Sequence, residues 1–424
     1  MKHRNLKMIL SVTMALILSI STAACGTKTQ SQQNASQSPA ASSAPGQKAQ
    51  LKLWYTYTSA AKEGLADVIS SYNSSQDKTE VVQEYVPSAD LKRQLSVGLA
   101  AEKLPDITLI DNPDHAAYSA MGLFLDITDK VKGWDKLNTY YEGPLSSTIY
   151  NGKNYGLPMG SNCLALFYNK KIVEGSGVEI PKTWDELRSA AKKLTKDGTY
   201  GYAMSAVKSE EGTFQFTPFL LSSGAAFDKL NTPEAIKSLS FVTDLIKDGS
   251  MSKEAINWTQ ADVQKQFISG KAAFMLNGSW CLNTIKKDAP DLAFGVSLVP
   301  KDKNYASVLG GENIGIIANT KYKDQAWDFL KFTAEDKNME TFNTKASYFP
   351  PRKDVAEKSE AVKNNPLMKI FIDQLGYAKP RGPHPKWPQI SNAIFTAEQE
   401  AFTLQKTADQ AFKDAQTKLD SILK

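Results

Sequence analysis

The chain has 424 residues, 42% of them hydrophobic and 22% charged, with a formal net charge of +5. That length asks for two domains or lobes instead of one, and the composition is that of a soluble globular protein. Without Lys2, Arg4 and Lys7, which fall in a segment read below as removed, the 50 basic residues become 47 against 45 acidic ones, a balance of +2, which is near neutral and gives no sign of a nucleic-acid partner.

The N-terminus runs from basic (MKHRNLK) through apolar (MILSVTMALILSI) to small (STAAC), the order of a secretory signal. This apolar run of 13 residues is too short to span a bilayer comfortably. Ending on Cys25, it resembles a lipoprotein signal, although Thr22 stands where Leu is usual. The resemblance implies that residues 1–24 are removed and that Cys25 carries acyl chains such as palmitate. The following stretch to Gln47 is rich in Ser, Gln and Ala, lacks apolar periodicity and predicts a flexible tether.

The folded body opens with LKLWYTY, a strand by its β-branched and aromatic content. Leu65, Val68, Ile69 and Tyr72 then repeat at helical spacing. TEVVQEYV is a second strand. Ser88 caps a helix carrying Leu91, Leu95 and Leu99, and DITLI after Pro105 is a third strand. Strand, helix, strand, helix, strand predicts parallel pairing with right-handed crossovers. Further on, Thr183-Trp-Asp-Glu186 reads as a capping box, and Gly198 as the end of its helix. Thr232-Pro233 opens another helix, with Ile236, Leu239, Val242 and Ile246 along one side. VQKQFISG predicts a helix leading into the strand AAFML, which should stop in a turn at Asn277-Gly278. Ala408, Ala411, Phe412, Ala415, Leu419 and Ile422 make the stripe of a terminal helix. The class is α/β, and open α/β sheets bind ligands at the carboxyl ends of their strands.

G-x-S-x-G, H-E-x-x-H, a P-loop and G-x-G-x-x-G are all absent from the sequence. Besides His3, the histidines are His115 and His384, too few for a His-rich metal site, and no cofactor is expected. Cys163 and Cys281 read as buried free thiols, with a disulfide between them the alternative. Asp111 and Glu312 stand among abundant carboxylates, so a glycosidase pair remains an alternative. Aromatics gather near predicted strand ends: Trp54, Tyr55, Tyr57, Phe167, Tyr168, Trp280 and Trp387. Flat rings with polar neighbours suit a pyranose, whose C–H face is apolar and whose rim is hydroxylated; each ring can equally be core.

LKLWYTYT, LPDITLIDNPDH, YNGKNYGLPMGSNCLALFYNK, IPKTWDELRSAAKKLT, GKAAFMLNGSW, GGENIGI, PKW and DQAFKDAQTKLDSIL occur in this order. Together they resemble the extracellular solute-binding proteins of ABC importers, the maltose-binding-protein-like sugar group. The resemblance implies a two-lobed periplasmic-binding-protein-like fold, each lobe a sheet flanked by helices. Residues 48–160 and 314–360 would form the N-lobe, residues 161–313 and 361–424 the C-lobe. Hinge crossings are expected near Leu157–Asn162, Gly310–Ile316 and Pro351–Val362.

It also implies a sugar site made of Trp54, Tyr55, Thr56, Thr58, Ser59, Asp111, Asn112, Asn162, Phe214, Trp280, Gly311, Glu312, Arg381 and Trp387. Trp280 and Trp387 would be stacking rings on the cleft rim. Arg381 and His384 stand close to Trp387, either as surface residues or as contacts for an acidic sugar. Thr58-Ser59, Ile110 and Pro388 depart from the maltose-type pattern, which puts maltose itself in doubt but not a sugar ligand. The implied partners are a sugar, the two permease subunits of an importer, and the membrane through the lipid on Cys25. The protein would act as a monomer, without catalysis, on the outer face of the cytoplasmic membrane. The readings from other classes are a secreted glycoside hydrolase and a surface adhesin.

Overall fold

The computed structural model describes residues 48–101, 103–382 and 384–424; the expected signal, the tether and Cys25 lie outside the described residues. The strands, in chain order, are β1 (Ala49–Tyr55), β2 (Thr79–Tyr85), β3 (Ile107–Asp111), β4 (Ile149–Tyr150), β5 (Lys153–Asn154), β6 (Leu157–Pro158), β7 (Leu164–Asn169), β8 (Tyr200–Ala203), β9 (Ala272–Gly278), β10 (Phe294–Ser297), β11 (Ser307–Leu309), β12 (Glu312–Ile316) and β13 (Ala378–Pro380).

In the N-lobe sheet the order is β2-β1-β3-β12-β6. β1 pairs parallel with β2 and β3, as strand–helix–strand grammar requires, and β12 returns antiparallel to β3. Alternation in β1 buries Leu51, Leu53 and Tyr55 on one face, because successive side chains leave a strand on opposite sides. That face is covered by the helix Ser59–Ser75, which buries Leu65, Val68, Ile69 and Tyr72. Trp54, on the other face, packs with Leu91, Ile110 and Phe124.

The C-lobe sheet runs β10-β7-β9-β8. Both of its faces are covered: Leu164 and Leu166 of β7 enter one cluster, Ala165 and Phe167 the other. The helices Trp387–Phe402 and Ala408–Leu423 pack on each other and close the larger cluster. The terminal stripe is buried as expected at Ala411, Phe412, Ala415 and Leu419.

Crossing segments link the N-lobe sheet to the C-lobe sheet and to a separate two-stranded sheet, β11-β13. Residues 159–163 join β6 to β7, and residues 310–311 join β11 to β12. They lie side by side: Asn162 and Gly310 exchange backbone bonds of 3.0 and 2.9 Å, and Ser161 and Phe349 exchange bonds of 3.0 and 2.8 Å. Gly311 sits at φ +129°, where a Cβ would lie 2.1 Å from the Gly160 carbonyl oxygen. No other residue fits there. Val355 then packs in the N-lobe cluster and Val362 in a C-lobe cluster, so the chain crosses once more between them.

Some local expectations change. Glu312 and Asn313, expected in the C-lobe, pair with Asp111 and Ile110 in the N-lobe sheet. The capping box at Thr183 is half present: Thr183 accepts from the Glu186 amide, but Glu186 accepts from the Lys182 amide. The reciprocal pair forms instead at Thr259 and Asp262. Gly198 lies beyond the cap Thr195, in a turn closed by Lys196 and Thr199. Asn277-Gly278 is not a turn; both residues continue β9, paired with Ala165 and Leu164.

Candidate functional site

The carboxyl end of β3 and the start of β12 lie side by side, which sets Asp111 directly opposite Glu312. Two carboxyls so placed do not both ionise readily, because each charge disfavours the other. Arg381, immediately after β13, reaches this corner from the C-lobe. It donates to both Asp111 oxygens at 2.9 and 3.0 Å and also to Glu210, at the start of the C-lobe helix Glu210–Ser222. Its guanidinium carbon lies 4.3 Å from the centre of the Phe214 ring. Only 3% of Arg381 is exposed. Burial opposes its charge, but Asp111 and Glu210 outweigh burial and raise its pKa. One side chain thus ties an N-lobe strand end to a C-lobe helix.

Glu312 lacks such a partner. Burial, reinforced by Asp111 and opposed by Tyr57 and Arg381, pushes its pKa up to about 8. The Tyr57 hydroxyl beside it is raised well above its ordinary value, first by burial and then by Glu312. Behind them, Lys92 Nζ stands 2.5 Å from the buried Asp114 carboxylate. Burial lifts the Asp114 pKa to about 6 against the pull of Lys92.

Trp280 faces this acidic corner from the other lobe. It follows β9 and enters the helix Cys281–Asp288. The half-buried ring packs against the N-lobe cluster and both C-lobe clusters. Its centre is 6.2 Å from that of Phe214, at 35°. A Cβ on Gly278 would fall 1.9 Å from the Trp280 ring. The glycine before Trp280 is therefore needed for a close approach, not for a turn. Around these rings, Tyr57 Oη, Ser161 Oγ, Ser279 Oγ, Glu210 Oε2, Glu312 Oε2 and Arg381 Nε are buried with no protein hydrogen-bond partner. Buried polar atoms are nearly always paired, so each such atom asks for an explanation.

The expected site residues divide between this cluster and other places. Asp111, Asn112, Asn162, Phe214, Trp280, Gly311, Glu312 and Arg381 are in or beside the cluster: Asn112 Oδ1 is 3.5 Å from Arg381, and the Gly311 carbonyl accepts from the Asn112 amide. Thr56 and Thr58 lie in the short link from β1 to the first helix, which Ser59 opens; Thr58 and Ser59 are exposed, and Ser59 sits at φ 48°. Tyr55 is core, edge-on to Tyr85. Trp54 is turned to the far face of the sheet, where its indole donates to Glu84 at 3.0 Å.

Trp387 is not a rim residue: it is 1% exposed and sits edge-on to Phe227 at 5.1 Å. It opens a helix whose apolar face closes the C-lobe core, so the ring is drawn inward, and its indole donates to Glu210 at 3.1 Å. Arg381 is no surface residue either, and its charge is already taken by two carboxylates. Glu210 was missed in the sequence because Ser209-Glu-Glu reads as an ordinary acidic first turn of a helix. Cys163 and Cys281 are both free and buried. Two open surface hollows, one at Arg352 and Asp354, the other at Asn283 and Thr344, share no residue with the cluster.

The sequence profile of a family described as bacterial extracellular solute-binding protein matches residues 67–370. The maltotriose-binding protein of Pyrococcus abyssi is 28% identical over 362 residues, covering 81% of this chain and 76% of that protein. The galactooligosaccharide-binding protein of Bacillus subtilis is 24% identical over 412 residues, covering 94% of this chain and 93% of that one. The solved structure of an ABC transporter solute binding protein from Thermotoga lettingae, bound with alpha-D-tagatose, superposes with a TM-score of 0.83 at 28% identity. That match covers 89% of this chain and 100% of the other.

Proposed function

The chain belongs to the bacterial extracellular solute-binding protein family, and from that premise we propose that it captures an oligosaccharide between its lobes and delivers it to an ABC importer. The observation that carries this reading is the cluster of buried, unpartnered polar atoms beside Trp280 and Phe214, drawn from both lobes. A pyranose meets both demands, giving its C–H face to the rings and its hydroxyls to the orphaned donors and acceptors. The sugars named for the relatives support the same class of ligand.

Closure supplies the signal to the importer. Moving a two-state protein from 1:99 to 99:1 closed requires about 5.5 kcal/mol of differential affinity. Several hydroxyl hydrogen bonds at roughly 0.5–1.5 kcal/mol net each can supply it together with ring stacking. The crossings at residues 159–163 and 310–311 are the hinges in this reading. The family and fold are those of solute-binding proteins, which are not enzymes. In this reading the chain does not turn its ligand over, and Asp111, whose two oxygens are both engaged by Arg381, is poorly suited to serve as nucleophile or base.

The same reading holds the protein at the membrane through two or more acyl chains on Cys25, since a single chain binds only marginally. Cys25→Ser should release it from membranes; a variant that fractionates with membranes as before contradicts the anchor. The sugar reading is tested by a thermal-shift screen of mono- and oligosaccharides. A ligand at 100 times its Kd stabilises by about 2.7 kcal/mol, and a library without any shift contradicts the proposal.

A further inference from the structure

We propose that the cleft selects its ligand by charge: a sugar bearing a protonated amine binds ahead of its neutral counterpart, and a uronate is rejected. This inference rests on the sugar-binding reading above and narrows its ligand class.

The argument begins with a mismatch. Asp114 is acted on by Asp111 and Glu210, Glu312 by Asp111, and the cations acting on the four carboxyls are Arg381 and Lys92. Lys92 is held at Asp114, and Arg381 is shared between Asp111 and Glu210. Four carboxyl groups therefore divide two cations. The surplus falls where Asp111 and Glu312 oppose each other on adjacent strands, and the fold relieves it by keeping a proton on Glu312, which a ligand cation would displace.

Two further observations point to a ligand at that corner. The Tyr57 hydroxyl, on a side chain only 4% exposed, has no hydrogen-bond partner. Nor has Glu312 Oε2. Tyr57 Oη and, once its proton is displaced, Glu312 Oε2 are acceptors available to an ammonium group, which would also face Asp111. Unscreened by bulk water, such a charge pair is worth far more than at a surface. A uronate carboxylate meets the opposite situation. Arg381 keeps one free donor, Nε, but both of its terminal nitrogens are committed to acids. A bidentate cation for an anionic ligand is therefore missing at this corner, among the described residues, and burying a carboxylate beside Asp111 without one is costly.

The test compares sugars that differ in charge on the same ring: glucosamine, glucose and glucuronate; galactosamine, galactose and galacturonate; and the glucosamine trimer of chitosan against cellotriose. Calorimetry and thermal shift are run on the whole mature protein. At least tenfold tighter binding of the amine over its neutral counterpart is expected in at least one series, with no uronate binding. In Glu312→Gln the amine-to-neutral ratio should move toward one, and Asp111→Asn should move it the same way. Amine binding no tighter than neutral binding, no shift with any amino sugar, or a uronate that binds as well as its neutral counterpart overturns the proposal. Those outcomes leave the sugar-binding reading intact whenever a neutral sugar in the wider library still binds; that reading fails only if the library is silent.

Discussion

The two walls of the interlobe corner are built in opposite ways. On the N-lobe side, strand ends place Asp111 and Glu312 against each other, and register alone determines their position. On the C-lobe side, helix starts and rings dominate: Trp280 and Phe214 face the corner while Trp387, fully buried, braces Glu210 from behind. The C-lobe wall is stabilised by packing, whereas the N-lobe wall sets two carboxyls against each other, and Glu312 holds its proton there. Arg381 is the side chain that joins them.

Removing the joint should have the largest effect. Arg381→Ala leaves Asp111 and Glu210 without their shared cation, and breaking a buried ion pair on one side costs about 3–5 kcal/mol. Denaturant unfolding measures this; a loss below about 1 kcal/mol would mean the walls do not depend on Arg381. Trp387→Ala should also cost about 3–5 kcal/mol of folding stability, the usual range for a buried tryptophan. Trp280→Ala separates the two rings. It should weaken sugar binding by roughly 2 kcal/mol or more, as aromatic anchors do, with the smaller folding penalty of a half-buried side chain. Calorimetry and melts on both variants sharpen the contrast, and it collapses if Trp387→Ala is the one that folds well and binds poorly.

The smallest effect concerns protons. Burial raises the Glu312 pKa to about 8 in the fold, above the usual glutamate value of about 4.3. The folded state then holds the proton over that interval, so its contribution to stability is complete below about pH 4.3 and is lost as pH rises toward 8. Glu398, pushed up to about 8 chiefly by burial, acts in the same direction. The melting temperature of the ligand-free protein should fall between those limits. Glu312→Gln should flatten the fall in part, and an unchanged slope would remove Glu312 from the account.

Much of the frame was legible because it depends on local pattern. The alternation in LKLWYTY, the stripe from Leu65 to Tyr72 and the Thr232-Pro233 start each specify an element from neighbours in sequence. What escaped depends on contacts made from far away. Trp387 in PKWPQIS reads as an exposed ring because nothing nearby announces the helices that bury it. Asn277-Gly278 reads as a turn from its φ preferences, yet the strand runs through it and the glycine serves the ring two residues later. Glu210 is one acid among many until Arg381 arrives from 171 positions away. The family resemblance gives Asp111 and Glu312 as expected site residues, but their opposition across two strands is visible only in the register.

The central claim is that the ligand lies between the acidic strand ends and the aromatic wall. A crystal structure of the protein with whichever oligosaccharide gives the largest thermal shift tests it most directly. It should show a sugar ring against Trp280, with polar groups reaching Asp111, Glu312 and Arg381, and Trp387 still buried behind Glu210. A sugar seated in the hollow at Arg352 and Asp354 or the one at Asn283 and Thr344, with Trp280 untouched, would contradict the account.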